Sequence, residues 1–197
     1  AEADERILAA VAIHPNDAPA LAQKGELDDA LTVLDELAGH ERTRAIGETG
    51  LDYFRTGKDR HELQQDSFRE HIRLAKKHGL AMQIHDRDAH ADVVRILLEE
   101  GAPERTVFHC FSGDADIARI CADEGWYLSF AGTVTFKSAA GLREAQVEVF
   151  DAAMLPLARA VGGDALGGEV RVALDGLEEA RGALGVLAGD ELVDDRA

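Results

Sequence analysis

Cysteine is nearly absent from this chain. Cys110 and Cys121 are the only two, and they form no close pair. Their spacing gives no zinc-ribbon or redox motif, and they read as two small core residues. The lack of a disulfide framework fits a reduced, cytoplasmic setting. Long apolar runs are missing as well. No segment approaches the roughly 20 apolar residues that cross a bilayer, so no membrane partner is expected. The first residues, Ala1-Glu2-Ala3-Asp4-Glu5-Arg6, have no basic region leading into an apolar stretch, so no signal peptide is expected. An initiator Met is also lacking, which leaves room for sequence before Ala1. Basic residues are scarce: 21 Lys and Arg face 38 Asp and Glu, for a net charge of -17. That balance opposes loose, sequence-independent binding to nucleic acid and favours solubility. It leaves open a local phosphate site built from a metal and one or two arginines.

What the chain does have is 46% hydrophobic residues, enough for a core. Its 197 residues are short beside the roughly 250 of a complete eight-stranded barrel. The apolar residues fall into strand-like runs separated by helix-like segments. Ile7 to Ile13 reads as a buried strand entering a loop at His14-Pro15, because Pro15 disfavours helical geometry at His14. Leu27, Leu31, Leu34 and Leu37 recur at helical spacing, with Gly39 after them. A strand then ends near Glu48. A helix from His61 to His78 carries Phe68, Ile72 and Ala75 on one stripe. Leu80 to His85 is a strand, and Ala89 to Glu100 a helix with Val93, Ile96 and Leu97 facing inward. Val107 to Phe111 is a strand, Ser112-Gly113-Asp114 a turn and cap, and Trp126 to Phe130 a fifth strand after a short helix. This alternation predicts a parallel sheet with right-handed crossovers, as a β/α barrel or a doubly wound open sheet. The character changes after about Ala145, where Ala, Gly, Leu, Val and acidic residues dominate. The expected organisation is a β/α core over 1–145 and a divergent segment over 146–197 that could complete the same domain. In that segment Glu169 to Leu174 could be a strand and Leu177 to Leu187 a helix.

Three of the strand-like runs end in a potential metal ligand: Glu48, His85 and His109. In parallel barrels, chemistry sits at the C-terminal ends of the strands. One Glu and two His converging there would bind a divalent cation able to activate water. Each residue also has an ordinary reading. Glu48 could pair with Arg44 or Arg55, and His85 could be a hydrogen-bonded core histidine. Arg87 could hold a substrate phosphate through its planar donors, or form a salt bridge with Asp86 or Asp88. Ser112 and Gly113 could present hydroxyl and backbone donors to an anion, or serve as cap and turn.

The segments Ala12-Ile13-His14-Pro15, Ile46-Gly47-Glu48-Thr49-Gly50-Leu51-Asp52-Tyr53, Ile84-His85-Asp86-Arg87 and His109-Cys110-Phe111-Ser112-Gly113 together resemble the ordered signatures of the TatD family of metal-dependent deoxyribonucleases. Ser129-Phe130-Ala131-Gly132 is similar too, and the resemblance runs from about Arg6 to Ala145. It implies an α/β fold, a TIM-barrel-like parallel β/α barrel present in part. It implies hydrolysis of DNA phosphodiesters at one or two divalent ions, Mg, Mn or Zn. Glu48 would be both metal ligand and catalytic carboxylate, with His85 and His109 as further ligands. Asp52, Tyr53, Arg55 and Arg87 match positions near the mouth and would meet the substrate, with Ser112 beside them. Two family segments find no match: a His-x-His pair on the first strand and a later Glu-Thr-Asp. Asp175 is a candidate substitute for the latter's Asp. Two other readings therefore stay open. One is an impaired or inactive relative serving as a binding module. The other is a related barrel hydrolase acting on a small ester or amide.

Overall fold

Apolar runs punctuated by glycine set the elements of this chain, whose computed structural model describes Asp4 and residues 6–149. Five strands form, β1 (Ala9–Val11), β2 (Thr43–Asp52), β3 (Ala81–Arg87), β4 (Thr106–Phe108) and β5 (Tyr127–Leu128). All neighbouring pairs are parallel and the sheet order is β1-β2-β3-β4-β5. The helices are α1 (Ala18–Lys24), α2 (Leu27–Ala38), α3 (His61–His78), α4 (His90–Glu100) and α5 (Ala115–Asp123). Sheet order that follows chain order, with helices between strands, is the construction of a β/α barrel. A doubly wound sheet reverses direction at a switch point, and this sheet does not. The chain is thus α/β and TIM-barrel-like, with five strands among the described residues.

The described residues fall into two compact units: 4–113 with 124–130, and 114–123 with 131–149. The first holds the sheet and α1 to α4. Its core is made by Ile46, Leu51, Met82, Ile84 and Phe108 from the strands, all at most 1% exposed. The predicted stripes of α3 (Phe68, Ile72, Ala75) and α4 (Val93, Ile96, Leu97) are fully buried. Each such large side chain contributes about 1.5–3 kcal/mol on burial. In the second unit, the Asp114 carboxylate accepts from the Ile117 N–H (3.0 Å), so Asp114 rather than Ser112 caps α5. Arg119 of α5 pairs with Glu148 at 2.9 Å, within helical residues 140–149.

Several sequence expectations need correction. The first strand is three residues long rather than seven, and Ile7 and Leu8 are each 52% exposed. Among the described residues β1 pairs only with β2, so the rest of that apolar run has no second neighbour to bury it. The fourth and fifth strands are also shorter than their apolar runs. On α2 the buried positions are Leu34 and Ala38, while Leu37 is 47% exposed. Cys121 is buried as expected, but Cys110 is exposed and takes a left-handed turn (φ 48°) after β4. Helix α1 was not anticipated. Its sequence signals are Pro19 in the first turn and Gly25 beyond its end, left-handed at φ 72°. Asp175 and the strand and helix expected after Glu169 lie outside the described residues. No described helix is long and apolar enough to cross a membrane.

Candidate metal centre

Strand β2 does not stop at Glu48 but continues to Asp52, and its path decides the site. Ile46 pairs with Met82 and Thr49 with Ile84, so β2 has one residue more than β3 between those pairs. This bulge carries Glu48. Gly47 and Gly50 make the close approach to β3 feasible. A Cβ on Gly47 would stand 2.5 Å from the Gln83 Cβ. Gly50 has φ +133°, and a Cβ there would stand 2.1 Å from the His85 carbonyl oxygen.

The result is a cluster in which donor atoms of His14, Glu48 and His85 lie within 4.8 Å of one another. His85 Nδ1 is 2.9 Å from Glu48 Oε1, and His85 Nε2 is 3.1 Å from Asp52 Oδ2. The His14 and His85 rings meet edge to face, with centroids 4.7 Å apart. Burial and the neighbouring His85 lower the His14 pKa, which favours the neutral, ligating imidazole. Asp52 is 1% exposed, and burial alone would raise its pKa. Donors from the Asn16 side chain (3.0 Å), the Arg55 backbone N–H (2.9 Å) and His85 outweigh that and hold it below the usual range.

This donor set fits a divalent cation. One N–H of a neutral His85 satisfies one of its two carboxylate contacts. The other then sets a nitrogen lone pair against a carboxylate, and either a second proton or a shared cation relieves that clash. Two imidazoles and one carboxylate suit Zn, Mn or a similar ion.

The ordinary pairings expected for Glu48 and Arg87 do not form among the described residues, whereas His85 is hydrogen-bonded at both ring nitrogens. Arg44 donates to the carbonyls of Glu41 and Thr43, and among the described residues neither Arg44 nor Arg55 pairs with Glu48. Arg87 lies over the Phe54 ring, its Cζ 3.9 Å from the centroid, rather than against Asp86 or Asp88.

The other expected site residues are placed less uniformly. The His109 backbone N–H donates to Ile84 O (2.8 Å), so His109 reaches the same strand ends as His85. Its ring instead contacts the Cys110 sulfur at 3.2 Å, and it is not among the grouped donors. Tyr53 turns toward the helices. Its hydroxyl donates to Asp92 Oδ2 (2.7 Å) and accepts from Gln65, and its ring stacks on His61. Burial, then the Asp92 carboxylate, pushes its pKa up to about 12. Ser112 donates to the Asp86 carbonyl at 3.1 Å.

Sequence reasoning passed over His14 as a ligand, although it ends an apolar run as His85 and His109 do. It also missed the supporting shell. Buried His71 accepts the Ile13 N–H (2.9 Å) and bonds Ser67 O, which fixes the chain next to His14. Buried Gln64 accepts the Asp52 N–H (2.9 Å) and donates to Thr56.

Known proteins resemble this chain in sequence and in fold. Residues 1–159 match the model of the family described as TatD related DNase. The chain belongs to that family. It is 46% identical over 149 residues to a Mycobacterium tuberculosis protein named "Uncharacterized metal-dependent hydrolase TatD", covering 74% of this chain and 54% of that one. It is 44% identical to the Bacillus subtilis "Uncharacterized metal-dependent hydrolase YabD", over 73% of this chain and 54% of that one. Among solved structures it resembles YJJV, a TatD homologue from Escherichia coli, with 27% identity and TM-score 0.64, over 73% of this chain and 54% of that one. The chain therefore spans about half the length of the relatives it matches.

Proposed function

We propose that this chain is a metal-dependent hydrolase that cleaves DNA phosphodiesters. The observation that carries the reading is the His14, Glu48 and His85 cluster at the C-terminal ends of parallel strands. Family membership and the relatives' names support metal dependence and hydrolysis. These three side chains would hold one or two divalent ions, with His109 on the adjoining strand as a weaker further donor. Such an ion supplies Lewis acidity toward a phosphoryl oxygen and lowers the pKa of water.

The chain's own groups do the rest. Asp52 orients His85 through Nε2. Glu48 engages His85 through Oε1, and its other oxygen can hold the proton lost by an attacking water. Arg87, its Cζ 3.9 Å from the Phe54 ring centroid, presents a planar guanidinium to a phosphate. Arg55 is proposed as a second phosphate contact and Ser112 as a hydroxyl donor. Tyr53 acts indirectly, by fixing the turn after Asp52. A cytoplasmic setting is part of this reading, in keeping with a chain that has only two cysteines.

The test uses the whole chain, stripped of metal and reloaded with Mn or Mg, on single-stranded DNA, bis-p-nitrophenyl phosphate and p-nitrophenyl acetate. Metal-dependent cleavage of the phosphodiesters, lost in Glu48→Gln, is expected. Acetate hydrolysis without phosphodiester cleavage would replace DNA by a small ester. Metal binding with no hydrolysis at all would leave a binding module.

A further inference from the structure

We propose that a cavity at the N-terminal ends of β4 and β5 is a docking site for a basic segment of a partner protein, seating one of its arginine side chains. The cavity has a volume of about 210 Å³ and is lined by Leu97, Leu98, Pro103, Glu104, Glu124 and Trp126 among others. Pockets for whole small molecules run to roughly 300–1,000 Å³, so this one suits a single side chain. Its lining residues precede Thr106 and Tyr127, where the two parallel strands begin. The metal cluster lies toward the other ends of the strands, so a segment docked here leaves it open. The proposal goes beyond the hydrolase reading and stands or falls independently of it.

The cavity has an apolar wall and a pair of free carboxylates. Leu97 is fully buried, while Leu98 on the same end of α4 is 51% exposed. Trp126 rests on Phe108, with ring centroids 5.8 Å apart, which fixes the wall from the core side. Such a wall accepts the methylene stem of a long cationic side chain. Nearby Glu99 and Glu100 are held by Arg69 and Arg95. Glu104 and Glu124 are exposed and make no hydrogen bond or ion pair among the described residues. Lys76 does not occupy them, since its Nζ donates to the Glu100 carbonyl at 2.7 Å. A guanidinium carries five N–H donors in a planar fork and can serve two carboxylates at once.

A donor without an acceptor completes the site. Trp126 is 7% exposed, and its indole N–H makes no hydrogen bond among the described residues. A buried indole N–H ordinarily finds an acceptor. The backbone carbonyl of a docked peptide supplies one. An apolar stem, a cation that spans two carboxylates and a carbonyl beside them are together the chemistry of a peptide arginine. A metal ion lacks the stem, and a free polyamine lacks the acceptor. Arginine is also among the residues that most often anchor a protein interface.

Trp126 is the only tryptophan of the chain, so its indole N–H gives a single resonance in the isotope-labelled full chain. The probes are acetyl-Gly-Gly-Arg-Gly-Gly-amide and the same peptide with citrulline, which keeps the shape of arginine and loses its charge. The arginine peptide is expected to shift the indole resonance in a saturable way, and the citrulline peptide to bind about tenfold more weakly or less. Glu104→Gln/Glu124→Gln is expected to weaken the arginine peptide by about the same factor. Asp28→Asn/Asp29→Asn removes equal charge from α2 and is expected to leave binding unchanged. Circular dichroism melts confirm that the variants fold. An indole resonance that the arginine peptide does not move, or equal affinity for the two peptides, would overturn the site on the wild type alone. Equal affinities in the two double variants would overturn it as well, by reducing the binding to the net charge of the chain.

Discussion

Strands β2 and β3 are ten and seven residues long and run side by side to Asp52 and Arg87, whereas β4 has three residues and stops at Phe108. Both regions deliver a histidine to the same strand ends, and only one of them builds a site with it. His85 is fastened on both ring nitrogens, by Glu48 and Asp52, and backed by Asn16 and Gln64. His109 is fastened by its backbone, while its ring contacts the Cys110 sulfur. Register brings a residue to the rim, but side-chain partners hold it at the orientation a cation needs.

The largest test of this contrast is Gly50→Ala. The new Cβ would fall 2.1 Å from the His85 carbonyl in a backbone conformation that side chains avoid. Separating β2 from β3 there is expected to cost about 4 kcal/mol of stability. Urea unfolding followed by Trp126 fluorescence measures it. A loss under 1 kcal/mol would mean that the two strands are not held together at this point.

His71 sharpens the comparison from the other flank, since its ring holds the Ile13 N–H, just beyond β1 and next to His14. Burial lowers its pKa to about 4, against about 6.5 in an unfolded chain. The unfolded state therefore binds the extra proton between those values. Stability from neutral His71 is complete above pH 6.5 and is lost as pH falls toward 4, by about 3 kcal/mol. His71→Gln keeps an acceptor for the Ile13 N–H and should lose this pH dependence. Parallel urea titrations at pH 7.5 and 4.5 decide it, and identical pH dependence in the variant would remove His71 from the account.

The direct comparison is between ligands. Glu48→Gln and His85→Ala are each expected to weaken manganese binding about a hundredfold, or about 2.7 kcal/mol, and His109→Ala about tenfold or less. Calorimetry on the metal-stripped chain reads all three. Equal losses would return His109 to full rank among the ligands.

Much of this was legible in the sequence, for stated reasons. Apolar runs announced the strands, although β2 and β3 continue past Glu48 and His85 to Asp52 and Arg87, and glycines marked helix ends such as Gly79, left-handed at φ 63°. The stripes of α3 and α4 followed from periodicity. What escaped was set by contacts distant in sequence. The bulge at Glu48, the turning of Tyr53 onto His61, and the bonds from α3 to Ile13 and Asp52 depend on which elements pack together. His14 was missed for a different reason. It shows the same strand-end pattern as the others, but Pro15 by itself already accounts for a strand entering a loop at that point.

The smallest effect expected is that of Tyr53→Phe, and it separates a residue that serves the site from one that supports the fold nearby. Tyr53 follows Asp52 immediately, yet its hydroxyl lies with Asp92 and Gln65, between α3 and α4. Removing the hydroxyl leaves Asp92 Oδ2 with Gln65 at 3.3 Å and the other carboxylate oxygen with Arg95 at 2.9 Å. The cost should therefore be that of one hydrogen bond whose partner keeps other donors, about 1 kcal/mol. Because the wild-type phenol titrates only near 12, the difference should be constant from pH 6 to pH 9. Metal affinity should be unchanged, since neither Asp92 nor Gln65 touches the cluster. A variant of unaltered stability but weakened manganese binding would place Tyr53 with Asp52, as part of the ladder's end that orients His85.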